Sequence, residues 1–299
     1  MPLSDPNDLQ AFSPWKLDFR QVGTGHLETR LAFRSKSAVS VLRLNMSEVM
    51  HQRGQSPNGV VTFALSRAGA LRQWQGEVAT PQTMFGFGAG AAFDCVSEAG
   101  FEADVLSFDL GRFQALADQC GFALSDDALT ARLWDTSNSP NDLAGVASHI
   151  SSLLSVPARD WPEDSEEDLG LALLRLMTDG AEHLDRSPFR ARDRAMRRAL
   201  DVTDTTLDDP LPIPEICKLS GASWRTLDRA FKENFDIGPK SYYLRLRLLR
   251  ARQMLGASGP RGSVGEVANM NGFWHMGQFA RDYRKLFGER PSETVALRE

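Results

Sequence analysis

The sequence predicts an α+β protein in which an N-terminal antiparallel β-barrel with flanking helices precedes an all-helical C-terminal domain. Residues 17–110 contain short, partly alternating apolar runs separated by Gly, Pro, Ser and Asn, a pattern typical of an antiparallel barrel or sandwich. Residues 111–187 change to a helical periodicity. Residues 188–299 contain one helical pattern twice. We therefore place a boundary between two domains, 1–187 and 188–299, in the stretch DRSPFRARDR, which combines Ser, Pro and charges.

The composition is that of a globular protein, with 42% hydrophobic and 24% charged residues in a chain of 299. This length allows two or three domains, each with a core of its own. No apolar run approaches the ~18 residues of a membrane span, and MPLSDPNDLQ lacks the basic and apolar regions of a secretory signal. We therefore expect a cytoplasmic protein without membrane contact. Three scattered cysteines without a CxxC pair fit a reducing compartment and are expected to be small core residues: Cys95, Cys120 and Cys217.

Charge divides the chain into two unlike parts. From Pro188 onward there are 20 basic and 14 acidic residues, a net charge of +6, whereas the preceding part has 14 basic and 25 acidic residues, a net charge of −11. A basic half favours a polyanionic partner such as nucleic acid, although charge alone does not establish one.

The segment that begins at Ser165 is predicted to form an amphipathic helix. Its first turn is acidic, which is favourable at the positive end of the helix dipole. The apolar stripe that follows must be buried, either in the core of the N-terminal domain or in a dimer interface. The stripe comprises Leu169, Leu173, Leu176, Met177, Ala181 and Leu184.

The basic half contains an internal repeat. EICKLSGASWRTLDRAFKENFDIGP (215–239) aligns with EVANMNGFWHMGQFARDYRKLFGERP (266–291) after a slip of one position. Each copy predicts a short helix, a left-handed turn at Gly221 or Gly272, and a longer helix. In the longer helix an apolar residue recurs every fourth position, which defines one buried face. These positions are 227, 231 and 235 in the first copy and 279, 283 and 287 in the second.

This pattern predicts two helix-turn-helix motifs, at 213–235 and 263–287, rather than plain helical hairpins, because both copies carry Arg at the same exposed position. A linking helix is expected from Pro239, a residue suited to a first helical turn. Its arginines either contact phosphate or are solvated. They are Arg245, Arg247, Arg250 and Arg252, and the opposite face carries Leu244, Leu248, Ala251 and Leu255.

The stretches LSGASWRTLDRAFKENFDIGPKSYYLRLRLLRARQML and GFWHMGQFARDYRKLFGERPSE resemble the AraC/XylS family of bacterial transcription regulators. The resemblance covers about 100 residues, from roughly Arg194 to Val295, and the N-terminal half is similar to a cupin-like sensory domain. It implies a sequence-specific regulator, an activator, that binds double-stranded promoter or operator DNA and a small-molecule effector. It also implies a homodimer that contacts RNA polymerase.

The resemblance assigns base-reading and phosphate-contacting positions. Arg229 and Arg281 fit bidentate recognition of guanine and Gln278 fits adenine, while Asp228 either accepts from cytosine or orients an Arg. Trp224 replaces a smaller or polar residue of the family, and it either packs on the sugars of the DNA backbone or covers the core. The base-reading set is Arg225, Asp228, Arg229, His275, Met276, Gln278 and Arg281, and the phosphate set is Lys232, Lys240, Arg284 and Lys285.

An enzyme is not predicted. The histidines outside the basic half are far apart, and none forms the closely spaced pair of a metal-binding cupin, so neither a catalytic metal nor another cofactor is expected. The barrel interior suits a small effector. Its possible contacts are Arg43, Arg67, Arg72 and Trp74, but none of these residues is assigned this role. Two alternatives remain: a cupin-type enzyme with a DNA-binding tail, and an effector-independent DNA-binding protein. The histidines concerned are His26, His51, His149 and His183.

Overall fold

The computed structural model describes residues 2–3, 6–7, 14–74, 79–80, 82–122, 124, 133–179, 181–182, 191–207, 210–257 and 262–296. They form two compact units. The first comprises the described residues of Met1–Phe19, Glu28–Ser47 and Gln52–Arg186, and the second those of Arg20–Leu27, Glu48–His51 and Ser187–Glu299. The domain boundary expected between 187 and 188 falls on residues 183–190, which lie outside the described residues.

The described strands are distributed along the N-terminal half of the chain, between Pro2 and Glu182. They are β1 (Pro2–Leu3), β2 (Lys16–Gln21), β3 (Thr29–Lys36), β4 (Val39–Met46), β5 (Met50–Gln55), β6 (Val60–Ala68), β7 (Leu71–Trp74), β8 (Thr83–Phe87), β9 (Ala92–Ser97), β10 (Phe101–Asp109), β11 (Leu133–Asp135) and β12 (Ala181–Glu182). The last two lie within the part that was predicted to be helical.

The strands form two separate sheets, not the closed barrel predicted for 17–110. The large sheet has the order β1-β3-β4-β10-β6-β8-β11-β12 and the small sheet β2-β5-β9-β7. At the centre of the large sheet Val105 pairs with Leu42 on one side and with Ala64 on the other, both antiparallel. A barrel closes only when its first and last strands pair, whereas this sheet ends in two strands of two residues each.

The large sheet is covered by three helices, which bury its core residues. These are α1 (Leu110–Gln119), α2 (Pro140–Ser155) and α3 (Ser165–Asp179). Leu169, Leu173 and Leu176 of α3 are fully buried in one core cluster with strand residues such as Phe63 and Leu106. The core interpretation of the stripe is therefore correct for this part of it. The helix ends before Ala181, which lies in β12, and Leu184 is outside the described residues.

Aromatic rings connect the two sheets. The Trp74 ring of β7 lies 4.6 Å from that of Phe87 in β8 and stacks at 6.3 Å on Phe93 of β9, all between ring centroids. The Trp15 ring completes the cluster, 5.2 Å from Phe87. The interior in which an effector cavity was expected is thus lined, in this part, by aromatic side chains. Of the cysteines, Cys95 is buried as expected, but Cys120 is exposed.

Two arginines considered as effector contacts have a structural role instead. Asp104 of β10 is fully buried, and Arg43 Nε lies 2.7 Å and Arg67 Nη1 3.1 Å from its carboxylate. Arg43 also donates to Ser151 of α2 over 2.9 Å. Since a buried carboxylate is costly unless it is paired, this network offsets the burial of Asp104.

The second unit is mainly helical. Its helices are α4 (Ala191–Thr205), α5 (Ile213–Ser220), α6 (Trp224–Phe235), α7 (Pro239–Gly256), α8 (Val264–Met270), α9 (Met276–Phe287) and α10 (Pro291–Ala296). Both predicted sets of apolar positions are buried, and Pro239 begins α7 as expected. Among the described residues no helix is both long and apolar enough to cross a membrane.

Two short segments from the N-terminal half belong to the second unit. In the first segment Arg20 forms an ion pair with Asp204 of α4, with 2.8 Å between Nη2 and Oδ1. In the second, the buried His51 is hydrogen-bonded through Nδ1 to the hydroxyl of Tyr242 in α7. The imidazole of His51 therefore has a tyrosine partner, and among the described residues no three His, Cys, Asp or Glu side chains form a metal-binding group.

Candidate nucleic-acid interface

Local sequence determines the turn of the first helix-turn-helix motif. Gly221 caps α5 at φ 67°, a left-handed conformation that favours glycine. The amide of Ala222 then donates to the carbonyl of Cys217 over 3.0 Å. Ser223 caps α6 by accepting from the amide of Thr226, so the recognition helix starts immediately after the turn.

The second motif reaches the same turn with different caps. A capping box joins Ser263 and Glu266 at the start of α8, and these hydrogen bonds lower the pKa of the Glu266 carboxyl. Gly272, at φ 74°, supplies the left-handed turn. Phe273 is buried, with its ring centroid 5.0 Å from that of Phe279, and so connects the turn to α9. His275 precedes α9 without a side-chain capping bond.

Each turn also binds an arginine from the helix that precedes its helix-turn-helix motif. Arg198 of α4 donates from Nε to the carbonyl of Ser220 over 2.8 Å. Arg247 of α7 donates to the carbonyls of Asn271 over 2.8 Å and Gly272 over 2.6 Å, and its guanidinium lies 4.5 Å from the centre of the Phe273 ring. These bonds satisfy carbonyls at the helix end that have no partner within the helix.

The sequence prediction missed both arginines. For Arg247 it proposed phosphate contact or solvation, whereas the side chain is bound to the turn. Arg252 is likewise paired with Glu289, at 3.0 Å. The available signal was an arginine 22 to 25 positions before the carbonyls of each turn, as the spacings of the two sets of bonds show. A pattern search confined to the motifs could not reveal it.

The first recognition helix, α6, has charged side chains that pair with one another. Arg229 lies 2.9 Å from Glu233, and Lys232 lies 2.8 Å from Asp228. Asp228 therefore orients a lysine and not an arginine. Arg225 is exposed in the first turn. Because exposed ion pairs contribute about 0 to 1 kcal/mol, these cations can exchange their partners for phosphate or bases at little cost.

The second recognition helix, α9, is organised by hydrogen bonds around Gln278. This side chain donates to Asp282 over 2.8 Å and accepts from Arg281 over 2.9 Å. His275 and Met276 are exposed at the helix start. A Cβ at Gly277 would meet no other atom within 4 Å, so packing inside the chain does not require a glycine there.

The structure thus gathers the expected base-reading residues into two short stretches, at the N-terminal turns of α6 and α9. The expected phosphate-contacting residues are exposed one turn further on, or, for Lys240, at the start of α7. Trp224 is 46% exposed, so about half of its side-chain surface is available for an external contact.

Comparison with known proteins agrees with this architecture. Residues 216–296 match a sequence family described as a helix-turn-helix domain. The transcriptional regulator GbdR of Pseudomonas aeruginosa is 33% identical over 98 residues, which are 33% of this chain and 26% of GbdR. The XylDLEGF operon transcriptional activator of Pseudomonas putida is 27% identical over 138 residues, 46% of this chain and 43% of the activator.

A crystal structure of a transcriptional regulator with an AraC-type DNA-binding domain, from Chromobacterium violaceum, is 33% identical. The match covers 35% of this chain and 91% of that one, with a TM-score of 0.33. The sequence-family match shows that residues 216–296 contain a helix-turn-helix domain. In sequence this domain is similar to the AraC-type DNA-binding domain of that regulator.

The match spans about a quarter of the length of GbdR and less than half that of the XylDLEGF activator. These similarities establish the class of the DNA-binding domain. The stretches SWRTLDRAF and GFWHMGQFARDYRKLFGERPSE also look similar to the activator of ethanolamine-utilisation operons, and this finer resemblance stays a prediction.

Proposed function

We propose that the protein is a cytoplasmic, sequence-specific transcription regulator that binds double-stranded promoter or operator DNA through both helix-turn-helix motifs. The observation that carries the proposal is the matched placement of Arg229 and Arg281 on the exposed faces of two recognition helices. Helices of this kind place their N-terminal residues against base edges in the major groove.

The residues divide into two chemical groups. Arg229 and Arg281 carry planar guanidinium groups that match the two acceptors of guanine, and Gln278 has the donor and acceptor that adenine requires. The lysines and Arg284 are suited to phosphate, which positions the protein without reading sequence. Arg225, Asp228, His275 and Met276 complete the base-reading set.

Alanine variants of the two arginines test the proposal. We expect Arg229→Ala and Arg281→Ala each to weaken specific binding by about 1 to 3 kcal/mol and to relax preference at one base pair. Lys232→Ala, one turn beyond Arg229, is the matched control and should weaken binding to all sequences evenly. Footprint titrations on a selected site measure both effects. Unchanged sequence preference in both arginine variants would contradict base reading.

We further propose that a small molecule controls the regulator from the N-terminal unit, and that the protein is an activator, a homodimer and a partner of RNA polymerase, as in the family it resembles. One structural feature supports an effector. The indole Nε1 of Trp74 is buried among aromatic rings without a hydrogen-bond partner among the described residues. A buried donor of this kind is costly unless a ligand or a water accepts from it. Effector binding would shift DNA binding only through its different affinity for two states.

Thermal-shift screening of the full chain against small aromatic and heteroaromatic metabolites tests this part, because a ligand of the native state raises its apparent stability. We expect the shift to be lost in Trp74→Phe, which keeps an aromatic ring but has no N–H. A shift of equal size in this variant would show that the ligand binds elsewhere.

A further inference from the structure

Exposed apolar side chains are concentrated in the helix-turn-helix motifs. Among the described residues six large apolar side chains are exposed, and one of them, Phe33, lies in the first unit. Single exposed apolar residues are normal on protein surfaces. A concentration on the elements expected to bind DNA requires an explanation. The other five are Leu219, Trp224, Met270, Trp274 and Met276.

Two of these residues occupy the same position in the two copies. Trp224 is the first residue of α6 and Met276 is the first residue of α9. Each lies five positions before the arginine of its helix, Arg229 or Arg281. Their exposed fractions are 46% and 38%. Each recognition helix therefore presents an apolar side chain at the end that is expected to enter the groove first.

The chemistry of the major groove limits what such a side chain can recognise. Base edges there present hydrogen-bond donors and acceptors, with a single apolar group, the 5-methyl of thymine. An indole ring or a thioether placed against a polar edge would leave that edge without a hydrogen-bond partner, which is unfavourable. The 5-methyl group is the feature against which both side chains gain free energy by excluding water.

The surroundings favour DNA over a protein partner for these two side chains. Arg225 and Arg229 follow Trp224 on the exposed part of α6, and Arg281 and Arg284 follow Met276 on α9. An apolar contact surrounded by cations is suited to a polyanion that also carries methyl groups, because the cations neutralise phosphate.

We propose that Trp224 and Met276 each contact the 5-methyl group of a thymine, one in each half of the DNA site. The inference rests on the proposed function, which it deepens by naming one base in each half-site and the residue that reads it. It gives the exposed part of the Trp224 side chain a role in specificity.

The experiment uses deoxyuridine, which differs from thymidine only by the missing 5-methyl group. A preferred site is first selected from randomised duplexes with the full chain. Each thymine is then replaced singly by deoxyuridine, and the dissociation constant is measured by fluorescence anisotropy. We expect one replacement in each half-site to weaken binding about fourfold, the effect of one buried methyl group.

The variants assign each methyl group to a residue. Trp224→Ala should bind thymine and deoxyuridine equally at one position, and Met276→Ala should do so at the other. Leu219→Ala and Met270→Ala, which truncate exposed apolar residues of α5 and α8, are matched controls and should keep the full methyl effect. Circular dichroism of each variant verifies that it is folded.

The outcomes separate this inference from the proposed function. If the full chain selects no sequence, the proposed function fails. The inference fails, and the proposed function is retained, if the chain selects a site but no deoxyuridine replacement changes the affinity. The same holds if the methyl effects persist in both Trp224→Ala and Met276→Ala. If Trp274→Ala and not Met276→Ala removes the second methyl effect, the assignment to Met276 is wrong.

Discussion

The two helix-turn-helix motifs have the same backbone plan but present different surfaces. Helix α6 carries three basic and two acidic residues, and two of its basic side chains form ion pairs within the helix. Helix α9 carries three basic residues and one acidic residue, Asp282, which accepts from Gln278. The first helix therefore presents cations that are already oriented and partly neutralised, and the second a larger net positive charge.

The buried cores of the two motifs also differ in the contacts that stabilise them. Phe231 in the first motif packs among aromatic rings, including Phe235 and Tyr242. Its counterpart Tyr283 bonds through its hydroxyl to Thr294, which donates to Glu289. Burial of Tyr283 raises the pKa of its phenol. The repeat thus preserves the backbone geometry, while each copy has its own core contacts and its own exposed side chains.

The largest effect is expected from truncating the core of one motif at a time. Phe279→Ala should cost about 3 to 5 kcal/mol, and Leu227→Ala, at the matched position, about 2 to 5 kcal/mol, because both side chains are almost fully buried. Hydrogen exchange read by mass spectrometry should show lost protection mainly in the motif that carries the change. Equal loss in both motifs would mean that they unfold as one cooperative unit.

The arginines that hold the turns should show the next largest effect. Arg247→Ala removes two charge-assisted hydrogen bonds and a ring contact, and should destabilise the second motif by about 3 kcal/mol. Arg198→Ala removes one such bond and should cost about 1.5 kcal/mol. Urea unfolding measures the loss in the free energy of unfolding for each variant. Hydrogen exchange in α8 and α5 then shows which motif has lost protection. Arg247→Lys is the control and should not restore stability, since lysine cannot reproduce the paired geometry.

A smaller effect is expected from the acids beside the recognition arginines. Glu233→Gln removes the carboxylate that binds both Arg229 and Arg192. It should strengthen binding to any DNA by up to about 1 kcal/mol, because Arg229 no longer exchanges partners and a negative charge is lost. Asp282→Asn in α9 also removes a negative charge, but its carboxylate accepts from Gln278 and its loss releases no arginine, so it should have a weaker effect. Binding titrations over a range of salt concentrations test the difference, and a larger gain from Asp282→Asn would reverse it.

The smallest effect concerns acid stability of the second motif. The pKa of Glu266 is lowered from 4.5 by hydrogen bonds with Ser263, so its ionised form stabilises the folded state. This contribution is fully present above the unfolded pKa of about 4.5 and is lost as the pH falls through the lower folded value. Glu266→Gln should slightly reduce the melting temperature at pH 7 and have no effect at a pH well below 4. A difference that persists in acid would contradict this origin.

Local patterns predicted the elements that depend on local physics. The four-residue spacing of Leu227, Phe231 and Phe235 was sufficient to identify a buried helix face, because helical periodicity places these residues on one side. Gly221 and Gly272 identified the turns, since a left-handed conformation favours glycine. Both predictions are confirmed by burial and backbone angles.

Predictions that depended on distant partners were less successful. The prediction that the N-terminal strands close into a barrel was wrong. An alternation of period two identifies a strand, but it does not show whether the first and last strands pair. The end of α3 was also wrong, since Ala181 continues the apolar stripe but pairs in β12.

The sequence by itself determined two repeated motifs, their buried faces, their turns and the matched exposed positions of Arg229 and Arg281. Only the tertiary structure decided which charged side chains already have a partner within the protein. It bound Arg247 to a turn 24 residues away and paired Asp228 with Lys232. The physical reason is that helix periodicity and turn conformation depend on neighbours in the chain. The partner of an arginine, by contrast, depends on which carbonyls and carboxylates folding brings within hydrogen-bonding distance.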